Sequence, residues 1–376
     1  MLRKLPVSNP FKSLTRKVPE VRAFAVATLA PLPLLALGAV YGGLWAWAAF
    51  GYITVLIFAL DELIARAAPD APEGTEFPAA DRLSVGLAVA HFGALGLAVF
   101  ALSGGTGLNL GSWIAVFLGF GLFFGQVSNA NAHELIHRAD PRLFALGMWV
   151  YISLLFGHHT SAHRLVHHRF AATPDDPNTA ALGVGFYEFA PTAWLGSFVA
   201  GYEMERNRAA QRAAQRAAQR PASGVIDRLR RTNPYAIYLT GAAACLVLVV
   251  MAFGLTGLLA YLALCAYAQM QLLLSDYVQH YGLERRTVGP DKYEPVSVAH
   301  SWDAPHPVSS LWMLNAPRHS DHHAHPAREY PALRLGTITP DRPILPRSLP
   351  AMATLALIPR LWRRAMDRRV ARLRAR

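Results

Sequence analysis

Apolar residues gather along this chain in long unbroken blocks separated by short turns and by two polar regions. Windows of about 20 residues, the length of helix that crosses a bilayer, are filled at about 24–42, 44–65, 83–103, 112–132, 235–255 and 257–279. Weaker stretches at about 143–157 and 186–201 are too short to span, and they predict buried or interfacial helices. The pattern predicts an all-α, polytopic membrane protein with six transmembrane helices. A basic start followed by an apolar run can mark a signal peptide. Here the run is too long, a second follows at once after Tyr41-Gly42-Gly43, and no small-residue cleavage site intervenes, so an uncleaved helical hairpin is expected.

Composition agrees with the pattern. Hydrophobic residues make up 53% and charged residues 16%, against the roughly 25% charged residues of a soluble domain. Basic residues set the orientation. Arg3, Lys4, Lys12, Arg16, Lys17 and Arg22 precede the first block, the turns at 41–44, 103–112 and near 254–258 lack Lys and Arg, and 133–234 and the tail after 280 are arginine-rich. Both termini are therefore expected in the cytoplasm. One domain, 1–376, is expected, with four spans over about 24–132, cytoplasmic helices over 133–234, two spans over 235–280 and a cytoplasmic tail over 281–376.

The formal net charge of +12 then sits mostly on one face, where it suits anionic lipid headgroups or an acidic soluble partner. No aromatic-interleaved basic patch accompanies it, which argues against nucleic acid. Cys245 and Cys265 both lie in apolar stretches and form no Cys-x-x-Cys pair, so the chain carries no iron–sulfur or rubredoxin-type site of its own. The repeat "AAQRAAQRAAQR" at 209–220 is expected as an exposed helix or a flexible insertion, without chemistry.

The histidines change the picture most. Fourteen of fifteen lie after residue 132; His91, alone in an apolar block, is expected to be a hydrogen-bonded packing residue. In "HELIHR", His133 and His137 stand at i and i+4, on one face of a helix. Taken alone, this is also the zinc-protease pattern, with Glu134 as general base. "HHTSAHRLVHH" repeats the spacing at His163 and His167, with His168 beside them. "DYVQHYGL" presents His280, and "RHSDHHAHP" places His319, His322 and His323 at i, i+3 and i+4. All nine fall at or just beyond the expected cytoplasmic ends of apolar blocks. They exceed the three or four ligands of one zinc site and fit two metals. A protease built on His133, Glu134 and His137 would leave His163, His167, His168, His319, His322 and His323 idle, whereas a dinuclear redox site uses all nine. Glu134, Asp176, Asp276, Asp321 and adjacent backbone carbonyls are candidate acceptors for the far ring nitrogens, and His158, His159, His300, His306 and His325 are expected in supporting positions.

With "HELIHR", "HRLVHHRFAATPDDPN", "YVQHYGL" and "RHSDHHAHPAREYPAL" in view, the chain resembles the bacterial membrane-bound non-haem diiron alkane monooxygenases, within the wider membrane fatty-acid desaturase and hydroxylase group. The three histidine sets belong to the whole group; "HYGL", "ATPDDPN" and "RHSDHHAHP" resemble the alkane hydroxylases in particular. The resemblance implies that His133, His137, His163, His167, His168, His280, His319, His322 and His323 hold two irons. It implies terminal hydroxylation of an alkane with O₂ as co-substrate, in a bacterial inner membrane. The electron donor would be a rubredoxin or a ferredoxin-type protein with a flavoprotein reductase. Two positions depart from the family's habit: Ala162 stands where Glu is frequent, and Arg138 where Lys is common. Spanning helices could form an apolar channel to the lipid, with Trp45, Trp47, Phe50 and Phe58 as candidate lining. A lipid desaturase or hydroxylase, or a hydroxylase of aromatic methyl groups, is the nearest alternative.

Overall fold

The computed structural model describes residues 18–64, 67–217, 233–290 and 292–375. The basic residues Arg3, Lys4, Lys12, Arg16 and Lys17, on which the expected orientation of the N-terminus rests, lie outside them, as does the last part of the 209–220 repeat. The described chain is mostly helical, with connecting loops and a small antiparallel hairpin, β1 (Thr287–Gly289) with β2 (Lys292–Tyr293).

Among the described residues, five helices are long and apolar enough to cross a membrane: α1 (Val21–Tyr41), α2 (Gly43–Ile64), α3 (Ala80–Gly105), α4 (Leu110–Ile136) and, later in the chain, α8 (Tyr235–His280). The last is 46 residues long. It contains both of the predicted segments at 235–255 and 257–279, and it breaks at Gly254, whose φ of 65° and ψ of −162° are open to glycine and costly for any residue with a Cβ. An expected turn thus becomes a one-residue break. Only 6% of the most apolar window of α8 is buried in the protein. Side chains such as Leu248, Met251 and Leu255 point outward, and a helix apolar on its outer face requires an apolar surrounding. The chain is a multi-pass membrane protein.

Between α4 and α8 lie α5 (Pro141–Ser153), α6 (His159–Ala162) and α7 (Phe186–Ala217). Asp140 caps α5, its Oδ1 accepting from the Arg142 amide at 2.7 Å, with Pro141 at the first helical position, a combination that fixes a helix start. Helix α7 is longer than the apolar stretch at 186–201 predicts, because the Ala-, Gln- and Arg-rich repeat continues it at least to Ala217. His91 packs as expected, with Nδ1 2.9 Å from Ser128 Oγ and Nε2 2.9 Å from Ser153 Oγ.

After α8 the chain forms a polar layer built from α9 (Pro307–Trp312), α10 (His319–Ala324), α11 (Leu349–Ala356) and α12 (Pro359–Arg374). Buried polar contacts pin it to the apolar helices. Asp61 of α2 accepts from the Val308 and Ser309 amides at the start of α9, at 2.8 and 3.2 Å. Arg318 pairs with Asp70 at 2.6 Å and donates to the carbonyls of Ala68 and Leu333. These contacts tie the layer to α2 and the loop after it. Gln279 Nε2 of α8 donates to the Ala316 carbonyl and the Tyr330 amide donates to Glu134 of α4, each at 3.0 Å, which sets the histidine-bearing α10 at the ends of α4 and α8.

Candidate metal centre

The nine histidines singled out by spacing come together in two adjoining groups. His133, His137, His163, His168 and His322 form one; His167, His280, His319 and His323 form the other; within each group one ring nitrogen from every residue lies within 4.8 Å of the rest. Four separate parts of the chain contribute: the end of α4, the α6 segment, the end of α8, and α10.

His133 and His137 share a face as their i, i+4 spacing predicts, with ring centroids 5.0 Å apart. His163 and His167 do not share a group. Residues His163–His167 form a π turn, in which the repeat approaches five residues rather than four. His168, at i+5, therefore meets His163, Nε2 to Nε2 at 2.9 Å, and His167 turns to the other group. In α10, His319 and His323 face each other at i, i+4, Nε2 to Nε2 at 3.0 Å. His322 points across to His168 at 3.0 Å. Two of the three sequence sets are thus split between the groups, and each group draws on distant segments.

The nitrogens are arranged as lone-pair donors toward a cation. His167 Nδ1 bonds Asp176 Oδ2 at 2.8 Å and His280 Nδ1 bonds the His300 carbonyl at 3.2 Å. These acceptors keep the proton on Nδ1 and leave Nε2 bare, the arrangement of a metal-bound imidazole. The Nε2 atoms then crowd: His133 to His163 at 2.7 Å, His280 to His319 at 3.0 Å, and His319 also to His323. Neutral rings cannot satisfy three converging nitrogens with hydrogen bonds among themselves. His137 Nε2 and His167 Nε2 are buried with no hydrogen-bond partner among the described residues. The donor set fits two metal ions, and imidazole suits iron, copper, nickel or zinc.

Burial, and secondarily the neighbouring imidazoles, holds His137, His159, His163, His168, His319, His322 and His323 well below the ordinary 6.5. The groups are therefore neutral at pH 7, as ligation requires. His167 differs: burial pulls it down, but the Asp176 carboxylate outweighs burial and raises it.

The remaining predicted acceptors divide. Asp176 serves His167 directly. Glu134 instead accepts from the Tyr330 amide at 3.0 Å and pairs with Arg138 at 2.8 Å, so it is not placed as the general base that a zinc-protease reading requires. Asp276 accepts from Asn178 Nδ2 at 2.6 Å and bonds no histidine. Asp321 is bonded to Arg328, His325 and the Arg334 amide. His325 is half-exposed outside both groups, and His158 packs against Trp194 and Phe198. The backbone carbonyl that matters is that of His300.

Sequence reasoning missed Asp303, fully buried, which orients α10. Its carboxylate accepts from the Ser320 amide at 2.9 Å, from Ser320 Oγ at 2.5 Å and from Arg342 at 2.7 Å. It also missed Gln126 and Gln271, which line the approach from the apolar side. A buried Asp within "HSWDAPHP" and glutamines inside apolar helices were the available signals. Toward the membrane helices lies a cavity of about 630 Å³, lined by Phe50, Phe58, Leu118, Leu122 and Leu274 among others. Trp45 and Trp47 are not in its wall; both are exposed on α2. A smaller space of about 50 Å³ reaches His133, His163 and His319.

The pattern that defines the fatty acid desaturase family matches residues 108–356. The alkane 1-monooxygenase 2 of Pseudomonas aeruginosa is 28% identical over 341 residues, covering 89% of this chain and 86% of that one. The alkane 1-monooxygenase of Ectopseudomonas oleovorans is 33% identical over 262 residues, 69% of this chain and 61% of that protein. The xylene/toluene monooxygenase hydroxylase component of Pseudomonas putida is 26% identical over 348 residues, 87% of this chain and 82% of that one. The matched region runs from the start of α4 through α11 and carries every histidine of both groups, so this chain belongs to the fatty acid desaturase family and, within it, to the alkane monooxygenases.

Proposed function

We propose that this protein is an alkane 1-monooxygenase that hydroxylates the terminal carbon of a medium- or long-chain alkane at a diiron site. The observation that carries the reading is the gathering of nine imidazoles, six buried and three partly buried, in groups of five and four, beside a small space that shares Gln126 with an apolar cavity between membrane helices. In this reading His133, His137, His163, His168 and His322 hold one iron, and His167, His280, His319 and His323 hold the other. One oxygen atom of O₂ enters the C–H bond, and the other leaves as water with two electrons and two protons.

An unactivated methyl group offers no handle for acid–base or nucleophilic catalysis, and iron, when bound, supplies the redox and O₂ chemistry that the substrate demands. The chain's own residues do the rest. The walls from Phe50 to Leu274 take up an alkane from the lipid, align it and exclude water. Asp176 and the His300 carbonyl hold the His167 and His280 rings in the tautomer and orientation that ligation needs.

Topology and partners follow in the same reading. The chain is one domain of six spans, counting α8 as two, in a bacterial inner membrane, with both termini and the histidine layer on the cytoplasmic side. A rubredoxin or ferredoxin-type donor, reduced by a flavoprotein, approaches from there. The xylene/toluene relative favours one second reading, an aromatic methyl group as substrate.

The test is an oxidation assay on membranes holding this protein, with O₂, NADH, a rubredoxin and its reductase, against an alkane series and a methylarene. A primary alcohol from alkanes, with two irons per chain, is the expected result. Benzylic alcohol alone selects the second reading, and product formation by iron-free protein overturns both.

A further inference from the structure

The 630 Å³ apolar cavity and the smaller space beside the histidines share one side chain, Gln126. Its orientation is determined. Trp312, fully buried, donates from Nε1 to Gln126 Oε1 at 2.6 Å. The Gln126 amide nitrogen therefore faces away, toward Gln271 Oε1 at 3.5 Å, the outer limit of a hydrogen bond. Gln271 stands on α8 beside Gly125, where an added Cβ would come within 2.5 Å of the Gln271 Cγ. The glycine makes room for the glutamine stem at the junction of the two spaces.

Two primary amides thus sit where the larger, mainly apolar cavity, whose wall also holds Tyr267 and Ser348, meets the polar histidine chamber, joined by a contact too long to satisfy them. Gln271 Nε2 has no hydrogen-bond partner among the described residues. The Thr54 and Thr354 hydroxyls in the wall are already used, donating to the Phe50 and Pro350 carbonyls of their own helices. A hydrocarbon gains nothing from an amide pair, and two apolar side chains would serve it better. A chain ending in a hydroxyl can both donate to an amide oxygen and accept from an amide N–H. Without such a partner its move into apolar surroundings is unfavourable.

We propose that Gln126 and Gln271 form a polar collar that recognises a hydroxyl-ended chain, binding the oxygen of the primary alcohol as it passes from the histidine chamber into the apolar cavity. The inference rests on the alkane-hydroxylation reading. The collar sets the affinity for product relative to substrate, and with it the choice between release and a second oxidation.

Binding to the metal-free protein in lipid nanodiscs tests it, using a labelled primary alkanol and the alkane of equal length. Gln271→Met keeps the unbranched stem on Gly125 and removes the amide. The alkanol affinity falls about five- to tenfold, the worth of one net hydrogen bond, while the alkane affinity does not fall. Gln271→Leu, a second variant lacking the amide, carries the same expectation should Gln271→Met fold poorly. Parallel loss of both affinities, or no loss for the alkanol, overturns the collar. Failure of wild-type membranes to oxidise any alkane would instead remove the functional reading, and the binding comparison reports on the collar separately.

Discussion

Asp176 Oδ2 lies 2.8 Å from His167 Nδ1 in a site closed to solvent. Through that contact a carboxylate in the loop after the second histidine set governs which nitrogen of His167 faces the other three rings of its group. Thr179 Oγ1 and the Asn178 amide also donate to the Asp176 carboxylate, at 2.7 and 3.1 Å, so the aspartate is itself held.

Asp176→Ala removes the acceptor and frees the ring. Metal affinity of the His167 group is expected to fall about 10- to 100-fold, and Asp176→Asn, a weaker acceptor that can still bond, to fall less. Iron content after dialysis against a graded chelator measures both; equal iron retention in wild type and Asp176→Ala would refute the role.

His322 and His325 lie three residues apart on α10 and beyond it, yet only His322 enters a group. His322→Ala is expected to cost iron and nearly all hydroxylation. His325→Ala removes a half-exposed ring bonded to Asp321 and is expected to leave iron content within about 20% of wild type, since surface changes away from buried networks are small. Metal analysis of both variants checks the contrast.

Asp303 is buried with Arg342 and Ser320. Asp303→Ala leaves the arginine without its buried partner and unpins the start of α10. A loss of about 3–5 kcal/mol is expected, with disordered coordination at His319, His322 and His323. Thermal unfolding in detergent gives the first effect, and the electronic spectrum of the cobalt-substituted protein gives the second.

Ten histidines outside the membrane helices, His158, His300 and His306 among them, are held below 6.5 chiefly by burial. Unfolded chain binds protons that the folded, metal-free protein refuses, so stability is full above 6.5 and falls as pH drops through it. His167, raised by Asp176, acts in the opposite sense and is outnumbered. Unfolding midpoints of metal-free protein from about pH 8 to about pH 5 should fall; a flat profile would contradict the burial of neutral rings.

Leu122 lies in the cavity wall on α4. Leu122→Trp fills part of the space and should reduce kcat/KM for longer alkanes at least about tenfold while shorter ones suffer less. Competition assays on mixed alkanes measure the shift.

Much of this protein is determined by local order in the sequence. The apolar blocks specify helices because a bilayer leaves a spanning backbone no other way to satisfy its hydrogen bonds. The His-x-x-x-His spacing specifies a shared face at His133 and His137 because a helix repeats every 3.6 residues. That these nine imidazoles belong together was legible from spacing and number. Which histidines share a group was not. His163 and His167 look like a pair on an α-helix, and a π turn separates them. His319 and His322 are neighbours in sequence and face different groups. Pairing across segments depends on where α4, α8 and α10 end relative to one another, and that depends on long-range contacts such as Arg318 with Asp70 and Asp303 with Ser320. Asp176 could be named as a candidate acceptor, but only folding distinguishes it from Asp276 and Asp321, which turn to Asn178 and Arg328 instead. Periodicity reports what a residue's own helix does with it. The partners that helix meets are a property of the packed chain.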